Sequence, residues 1–211
     1  MAWQNWFLFD LGNTVVRLAY ERVLFRLSSE STASREELMT VMERGGGYRD
    51  LERGSVSFTD FYQFLKENAG YRGSLASLRE IWTDFFDGPV DGIEDLLDRV
   101  RVSHRVGFLS NSNEIHADYI PRHFASLFRR DDRFVFSHLH GSAKPDRLIY
   151  ERAIQILGTI PSRIVFIDDL VENVATARDV GMVAYQFHGA MQLAEELEKD
   201  GILIAPESRE A

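Results

Sequence analysis

The sequence contains no cysteine, which excludes disulfides, thiolate catalysis and cysteine-based zinc sites and fits a reducing compartment. No stretch approaches the roughly 18 consecutive apolar residues of a membrane span, and no basic region precedes an apolar core at the start, as a secretory leader would require. A cytoplasmic location without a membrane partner is therefore expected. Basic residues are in deficit: 24 Lys and Arg stand against 33 Asp and Glu, a net charge of −9. That balance argues against a nucleic-acid partner, whose affinity rests on neutralising many phosphates, but leaves room for a pocket that takes one phosphate. Six histidines include no helical pair at metal spacing, so no zinc site is read. There is no internal repeat or low-complexity tract, and the Ser, Glu and Arg residues of the last positions read as an ordinary frayed terminus. Oligomeric state is not readable.

What the chain does have is 211 residues with a 45% hydrophobic share, enough for one core domain with a smaller insert. Three short apolar runs end on polar residues. Trp6-Phe7-Leu8-Phe9 runs into Asp10-Leu11-Gly12-Asn13-Thr14; Arg105-Val106-Gly107-Phe108-Leu109 runs into Ser110-Asn111; Arg163-Ile164-Val165-Phe166-Ile167 runs into Asp168-Asp169. In open parallel sheets ligands bind in the crevice beyond the carboxyl ends of the strands, where these three groups would converge.

Residues 19–86 change character, with Leu, Phe, Glu and Arg at helical spacing and no convincing strand, so they read as an all-helical insert. Ser34-Arg35-Glu36-Glu37 opens one helix as a capping box, and Ser57-Phe58-Thr59-Asp60 leads into another with apolar positions at 58, 61, 62, 64 and 65. Gly45-Gly46-Gly47 and Gly54 separate them and read as connectors. Beyond Pro89, helix and strand alternate: helix over 91–100, strand over 106–109, helix over 113–128, strand over 134–136, helix over 147–157, strand over 164–167, helix over 171–180 and strand over 182–187. Such alternation predicts a parallel sheet covered by helices. The expected fold is α/β, with residues 1–18 and 87–211 forming a Rossmann-like core and 19–86 a helical cap.

Asp10 at a strand end could attack an electrophilic phosphorus and split one displacement into two; a lone Asp before Gly-Asn also reads as a turn cap. The adjacent Asp168 and Asp169 repel each other unless a cation or a shared proton relieves them, and Mg²⁺ prefers such hard oxygen ligands together with a substrate phosphate. Ser110 and Asn111 can hold a phosphoryl oxygen. Lys144, in Gly141-Ser142-Ala143-Lys144-Pro145-Asp146, sits where a loop meets a helix and could neutralise a carboxylate and a phosphate.

The order Asp10, Ser110-Asn111, Lys144-Pro145-Asp146, then Asp168-Asp169 with Glu172-Asn173 and Gly181-Met182 resembles the haloacid dehalogenase-like hydrolase superfamily over nearly the whole chain. Phe9-Asp10-Leu11-Gly12-Asn13, Leu109-Ser110-Asn111 with downstream His116, and Glu52-Arg53-Gly54-Ser55-Val56-Ser57 with Phe61 look most like the alpha-D-glucose-1-phosphate phosphatase group and the phosphatase domain of soluble epoxide hydrolase. Both have a small helical cap of the C1 type after the first strand. The resemblance implies a Mg²⁺-dependent phosphatase of a small phosphorylated metabolite, plausibly a sugar phosphate, acting through an aspartyl-phosphate. It implies Asp10 as nucleophile, Asp10, the Gly12 carbonyl and Asp169 as metal ligands supported by Asp168, Ser110 and Asn111 as phosphoryl-binding residues, and Lys144 as a catalytic residue that holds Asp10 ionised and offsets the charge that builds up in the transition state. Specificity would sit in the cap, where Tyr48, Arg49, Arg53 and His116 are candidate contacts, each also a plausible surface residue.

One position departs from the family pattern. Most phosphatases of the superfamily carry a second Asp two residues after the nucleophile, and here that position is Gly12. The glucose-1-phosphatase-like group also has Asp-Leu-Gly-Asn, but Gly12 keeps open a second reading: a catalytically impaired fold that binds a phosphorylated metabolite or a protein. A 2-haloacid dehalogenase ranks below the phosphatase, because it expects Tyr where Gly12 stands and needs no cation between adjacent carboxylates.

Overall fold

The computed structural model describes residues 5–44 and 47–203. Gly45, Gly46 and the final residues read as a frayed terminus lie outside them. In chain order the elements are β1 (Trp6–Phe9), β2 (Val16–Leu18), α1 (Tyr20–Ser29), α2 (Arg35–Met42), α3 (Tyr48–Glu52), α4 (Phe58–Ala69), α5 (Leu75–Thr83), β3 (Phe86–Pro89) and α6 (Ile93–Arg101). There follow β4 (Arg105–Ser110), α7 (Glu114–His123), β5 (Arg133–Phe136), α8 (Arg147–Leu157), β6 (Ile164–Asp168), α9 (Val171–Asp179), β7 (Val183–Gln186) and α10 (Ala190–Lys199).

Five strands form one sheet in the order β5-β4-β1-β6-β7, every neighbouring pair parallel. This is the α/β architecture the alternating pattern predicts. β1 is buried along its whole length, as a near-continuous apolar strand in the middle of a covered parallel sheet must be. Its alternate side chains feed two layers. Phe7 and Phe9 pack with Leu97, Ile120 and Leu193 from α6, α7 and α10, while Trp6 and Leu8 pack with Ile149, Tyr150 and Val174 from α8 and α9. The central position of β1 places the end of that strand between the ends of β4 and β6, the crevice where ligands bind in sheets of this topology.

The five helices α1–α5 gather their own cluster around Trp82, Phe58, Phe61 and Leu27, each fully buried; Ile115 of α7 also joins it. Two of these helices start from capping boxes. Ser34 Oγ accepts from Glu37 N at 3.2 Å while Glu37 Oε2 accepts from Ser34 N at 2.8 Å, and Ser57 and Asp60 repeat the exchange. Both satisfy backbone donors that a helix start leaves open.

The connections into and out of the helical segment pair with each other, which the sequence pattern does not predict. β2 and β3 form an antiparallel ribbon with Val16 opposite Pro89 and Leu18 opposite Phe86. β2 is three residues long and β3 reads Phe-Asp-Gly-Pro, a composition poor in strand formers; only their mutual pairing makes them strands. The helix expected from residue 91 begins at Ile93, because Gly92 ahead of it takes φ +76°, a left-handed conformation that ends a regular helix.

Trp82 contacts the rings of Tyr48, Phe58, Phe61 and Phe85, and its indole N–H has no acceptor among the described residues. Trp82→Ala is expected to cost about 3–5 kcal/mol in denaturant unfolding. Trp82→Phe, which keeps a ring and removes the unpartnered N–H, is expected to cost distinctly less.

Candidate active site

Asp10 follows β1 directly, its N–H donating to Ile167 O at 2.8 Å, so the carboxylate leaves the sheet in register with the end of β6. Asn13 then takes φ +55°, a left-handed position that Asn tolerates, and its Oδ1 accepts from Leu18 N at 3.0 Å. The turn this closes brings Leu18 against Gly12: a Cβ on Gly12 would stand 2.8 Å from Leu18 Cδ1. The space beside the residue two after Asp10 is filled by an apolar side chain.

Lys144 is the centre of the site. Its ammonium lies 2.5 Å from Asp10 Oδ1 and 2.6 Å from Asp168 Oδ2, and all three side chains are almost wholly buried. The loop that carries Lys144 is fixed by a reciprocal pair with the end of β4: Lys144 N donates to Asn111 Oδ1 at 2.7 Å and Asn111 Nδ2 donates to Lys144 O at 2.9 Å. Asp168 Oδ1 accepts from Leu170 N at 2.9 Å and from Asn173 Nδ2 at 2.8 Å. Both oxygens of Asp168 are thus in use, Oδ2 on Lys144 and Oδ1 on the start of α9.

Each residue expected at the site has a definite place. Asp10, Gly12, Ser110, Asn111, Lys144 and Asp169 line one cavity of about 330 Å³, with Asp168 beside it. Asp10, Asp168 and Asp169 each present an oxygen within 4.8 Å of the others. Of the four candidate specificity contacts, Tyr48 and His116 line the same cavity, but His116 comes from α7 and not from the helical segment. Arg49 lines a neighbouring, more apolar cavity, and Arg53 pairs instead with Asp146 at 2.9 Å.

Three buried or half-buried carboxylates share one ammonium. Burial pushes Asp10 up to about 7, with the charges of Asp168 and Asp169 adding to the rise and Lys144 opposing it. Asp169 is raised by its own burial and by Asp168. Burial works against the charge on Lys144 too, but Asp10 and Asp168 outweigh it and hold the ammonium protonated. A charged lysine therefore leaves negative charge uncompensated, and a hard divalent cation with oxygen ligands suits the remainder. The donor set fits such an ion.

His116 is not available for proton transfer. Its Nε2 lies 3.0 Å from Trp82 O and its Nδ1 3.2 Å from Asn113 Nδ2. A carbonyl only accepts, so Nε2 carries the proton and Nδ1 accepts, which is the neutral ring. Burial pushes its pKa down to about 3. The sequence reading overlooked Glu52, which lines the cavity. No local pattern marks it, because the short helix α3 that ends on Glu52 is not read from the sequence.

The family model described as haloacid dehalogenase-like hydrolase matches residues 5–181. The chain belongs to that family. It is 34% identical over 192 residues to a sesquiterpene phosphatase of Aspergillus oryzae, covering 90% of this chain and 93% of that protein. It is 23% identical over 195 residues to a D-ribitol-5-phosphate phosphatase of Bacteroides thetaiotaomicron, covering 90% and 95%. A haloacid dehalogenase family enzyme of Bacteroides thetaiotaomicron, crystallised with magnesium and inorganic phosphate, superimposes with a TM-score of 0.74 at 22% identity, covering 89% of this chain and 95% of that one. The structural likeness shows a shared fold.

Two substitutions should move stability in opposite directions. Lys144→Met leaves the buried carboxylates without their counter-charge and is expected to destabilise by about 3–5 kcal/mol. Asp10 is raised in the folded state, so its ionisation costs stability as pH climbs from its ordinary 3.8 through about 7. Asp10→Asn is therefore expected to raise the Tm at neutral pH in a chelator, measured by thermal unfolding beside the parent protein.

Proposed function

We propose that the chain is a Mg²⁺-dependent phosphomonoesterase of a small phosphorylated metabolite, working through an aspartyl-phosphate on Asp10. The observation that carries this reading is the buried Asp10-Lys144-Asp168 arrangement, with Asp169, Ser110 and Asn111 around the same cavity. The two phosphatases that match about nine-tenths of the chain support it. One is named for D-ribitol 5-phosphate and the other for a sesquiterpene, so the phosphoryl group is what their names share.

In this reading the Asp10 carboxylate attacks phosphorus, and the leaving alcohol departs from the opposite side. Ser110 Oγ and Asn111 at the end of β4 orient the phosphoryl oxygens, and the Lys144 ammonium offsets the charge that builds on them. Asp168 acts on Lys144, not on substrate. Asp10, the Gly12 carbonyl and Asp169 would hold Mg²⁺, which would offset phosphate charge and relieve the repulsion between the carboxylates when bound. Residues 19–86 act as a cap over residues 1–18 and 87–211, enclosing the leaving group. The cytoplasm, with its reducing chemistry, is the proposed location.

Gly12 favours a second reading, a binding module without turnover. One assay separates the two. The intact protein is expected to hydrolyse p-nitrophenyl phosphate with Mg²⁺ and to lose that activity in a chelator and in Asp10→Asn. Binding of a phosphate mimic with no turnover of any phosphate ester would sink the enzyme reading.

A further inference from the structure

The phosphatase reading leaves one chemical role without an owner. An alkoxide leaving group needs a proton, and the water that hydrolyses an aspartyl-phosphate must lose one. Gly12 has no side chain to do either, and Leu18 occupies the space beside it.

The titratable groups that line the cavity can be taken in turn. Asp10 is the attacking group, and Asp169 sits with Asp10 and Asp168 in the carboxylate cluster. Lys144 is held between two carboxylates. His116 has both ring nitrogens committed. Burial pushes Tyr20 up to about 12 and Tyr48 well above its ordinary value, so neither phenol serves as a base near neutrality. Glu52 is left.

Three contacts pin the backbone of Glu52 and its neighbours to the sheet-bearing part of the molecule. Ser137 Oγ, at the end of β5, donates to Glu52 O at 2.5 Å, and the same oxygen accepts from Ser112 N at 2.8 Å beyond β4. Arg53 pairs with Asp146, just ahead of α8. Gly54, at φ +68°, lies so close to His138 that a Cβ there would stand 2.0 Å from its carbonyl oxygen. The short helix α3 is thereby seated at the rim of the phosphoryl site.

The side chain of Glu52 stands at a boundary. Asp10, Ser110 and Lys144 line only the phosphoryl cavity, and Met39, Met42 and Trp82 line only the neighbouring cavity of about 400 Å³, whereas Glu52 lines both, together with Tyr20, Tyr48 and Phe85, and is the one carboxyl among these four. A phosphate ester with its phosphoryl group at Asp10 and its alcohol portion in the second cavity would have its bridging oxygen at that boundary.

We propose that Glu52 is the general acid and base of this enzyme, taking the place of the missing second aspartate; the assignment rests on the phosphatase reading. As Asp10 attacks, the bond from phosphorus to the ester oxygen breaks, its electron pair goes to that oxygen, and the oxygen takes the proton of the Glu52 carboxyl to leave as the neutral alcohol. Water then enters where the alcohol left and gives a proton to the Glu52 carboxylate as its oxygen bonds to phosphorus. The bond from phosphorus to Asp10 breaks with its electron pair returning to the Asp10 carboxylate, and inorganic phosphate departs.

The surroundings of Glu52 agree. Burial pushes its pKa up to about 7, against a hydrogen bond from Tyr48 and the positive charges of Lys144, Arg49 and Arg53; Tyr20 of α1 also faces it. Both of its protonation states are accessible near neutral pH, as a group that is acid in one step and base in the next requires.

The test compares leaving groups in the intact, Mg²⁺-loaded protein. Substrates are p-nitrophenyl phosphate, whose phenolate leaves without a proton, and the best alkyl phosphate found among sugar, alditol and prenyl phosphates. Glu52→Gln is expected to lower kcat/KM for the alkyl ester by about 10²–10⁴-fold and to remove its alkaline limb in pH. With p-nitrophenyl phosphate it is expected to keep the first-turnover burst while slowing the steady state, so that phosphorylated Asp10 accumulates and is seen by intact mass. Glu52→Asp, which keeps the carboxyl, should restore part of the alkyl rate and decides the matter on leaving-group dependence if the Gln variant fails to fold. Equal slowing of the two esters in first-turnover kinetics, or no slowing of either, overturns the assignment while the phosphatase reading stands. Absence of any turnover by the parent protein overturns both.

Discussion

A lysine ammonium buried between two carboxylates is the constraint on which the rest of this structure depends. Lys144 reaches the site from the loop ahead of α8, and its partners come from the ends of β1 and β6. A buried charge is tolerated only with its counter-charges in place, so these segments must arrive together. The parallel sheet sets the spacing. Because β1 lies between β4 and β6, the groups that follow the three strands share one crevice, and the reciprocal Asn111-Lys144 pair couples the lysine loop to the third. Asp168 holds Lys144 and is itself held by the first turn of α9.

The arrangement is deliberately short of positive charge. Were Lys144 balanced by one carboxylate, the pair would be neutral and would offer little to a cation. Three carboxylates against one ammonium leave a net negative charge, which a divalent cation would offset. The same imbalance explains why burial and mutual repulsion win at Asp10 although an ammonium touches it.

Much of this was legible in the sequence, for local reasons. Asp10, Ser110 and Asp168-Asp169 each follow an apolar run, and a buried strand ending on a polar residue points to a site wherever the sheet is parallel. The capping boxes at Ser34 and Ser57 are equally local. The β2–β3 ribbon was not legible, because Val16 and Pro89 pair across the whole helical segment and neither strand has the composition to declare itself. Glu52 was passed over for a similar reason. It stands in Glu52-Arg53-Gly54, whose glycine reads as a connector, and only the contacts to Ser137, Asp146 and His138 show that the stretch is a docking point.

Gly12 reads differently once its surroundings are known. A second aspartate there would have added a further negative charge to a cluster that already exceeds its counter-charge, and its Cβ would have stood 2.8 Å from Leu18 Cδ1, so the Leu18 side chain would have had to turn aside. Glycine at this position lets the β2–β3 ribbon close against the site, and that ribbon is the mechanical link to the helical segment. With no side chain at Gly12, the titratable groups that line the cavity from the helical segment are Tyr20, Tyr48 and Glu52, and burial raises the affinity of the Glu52 carboxyl for its proton.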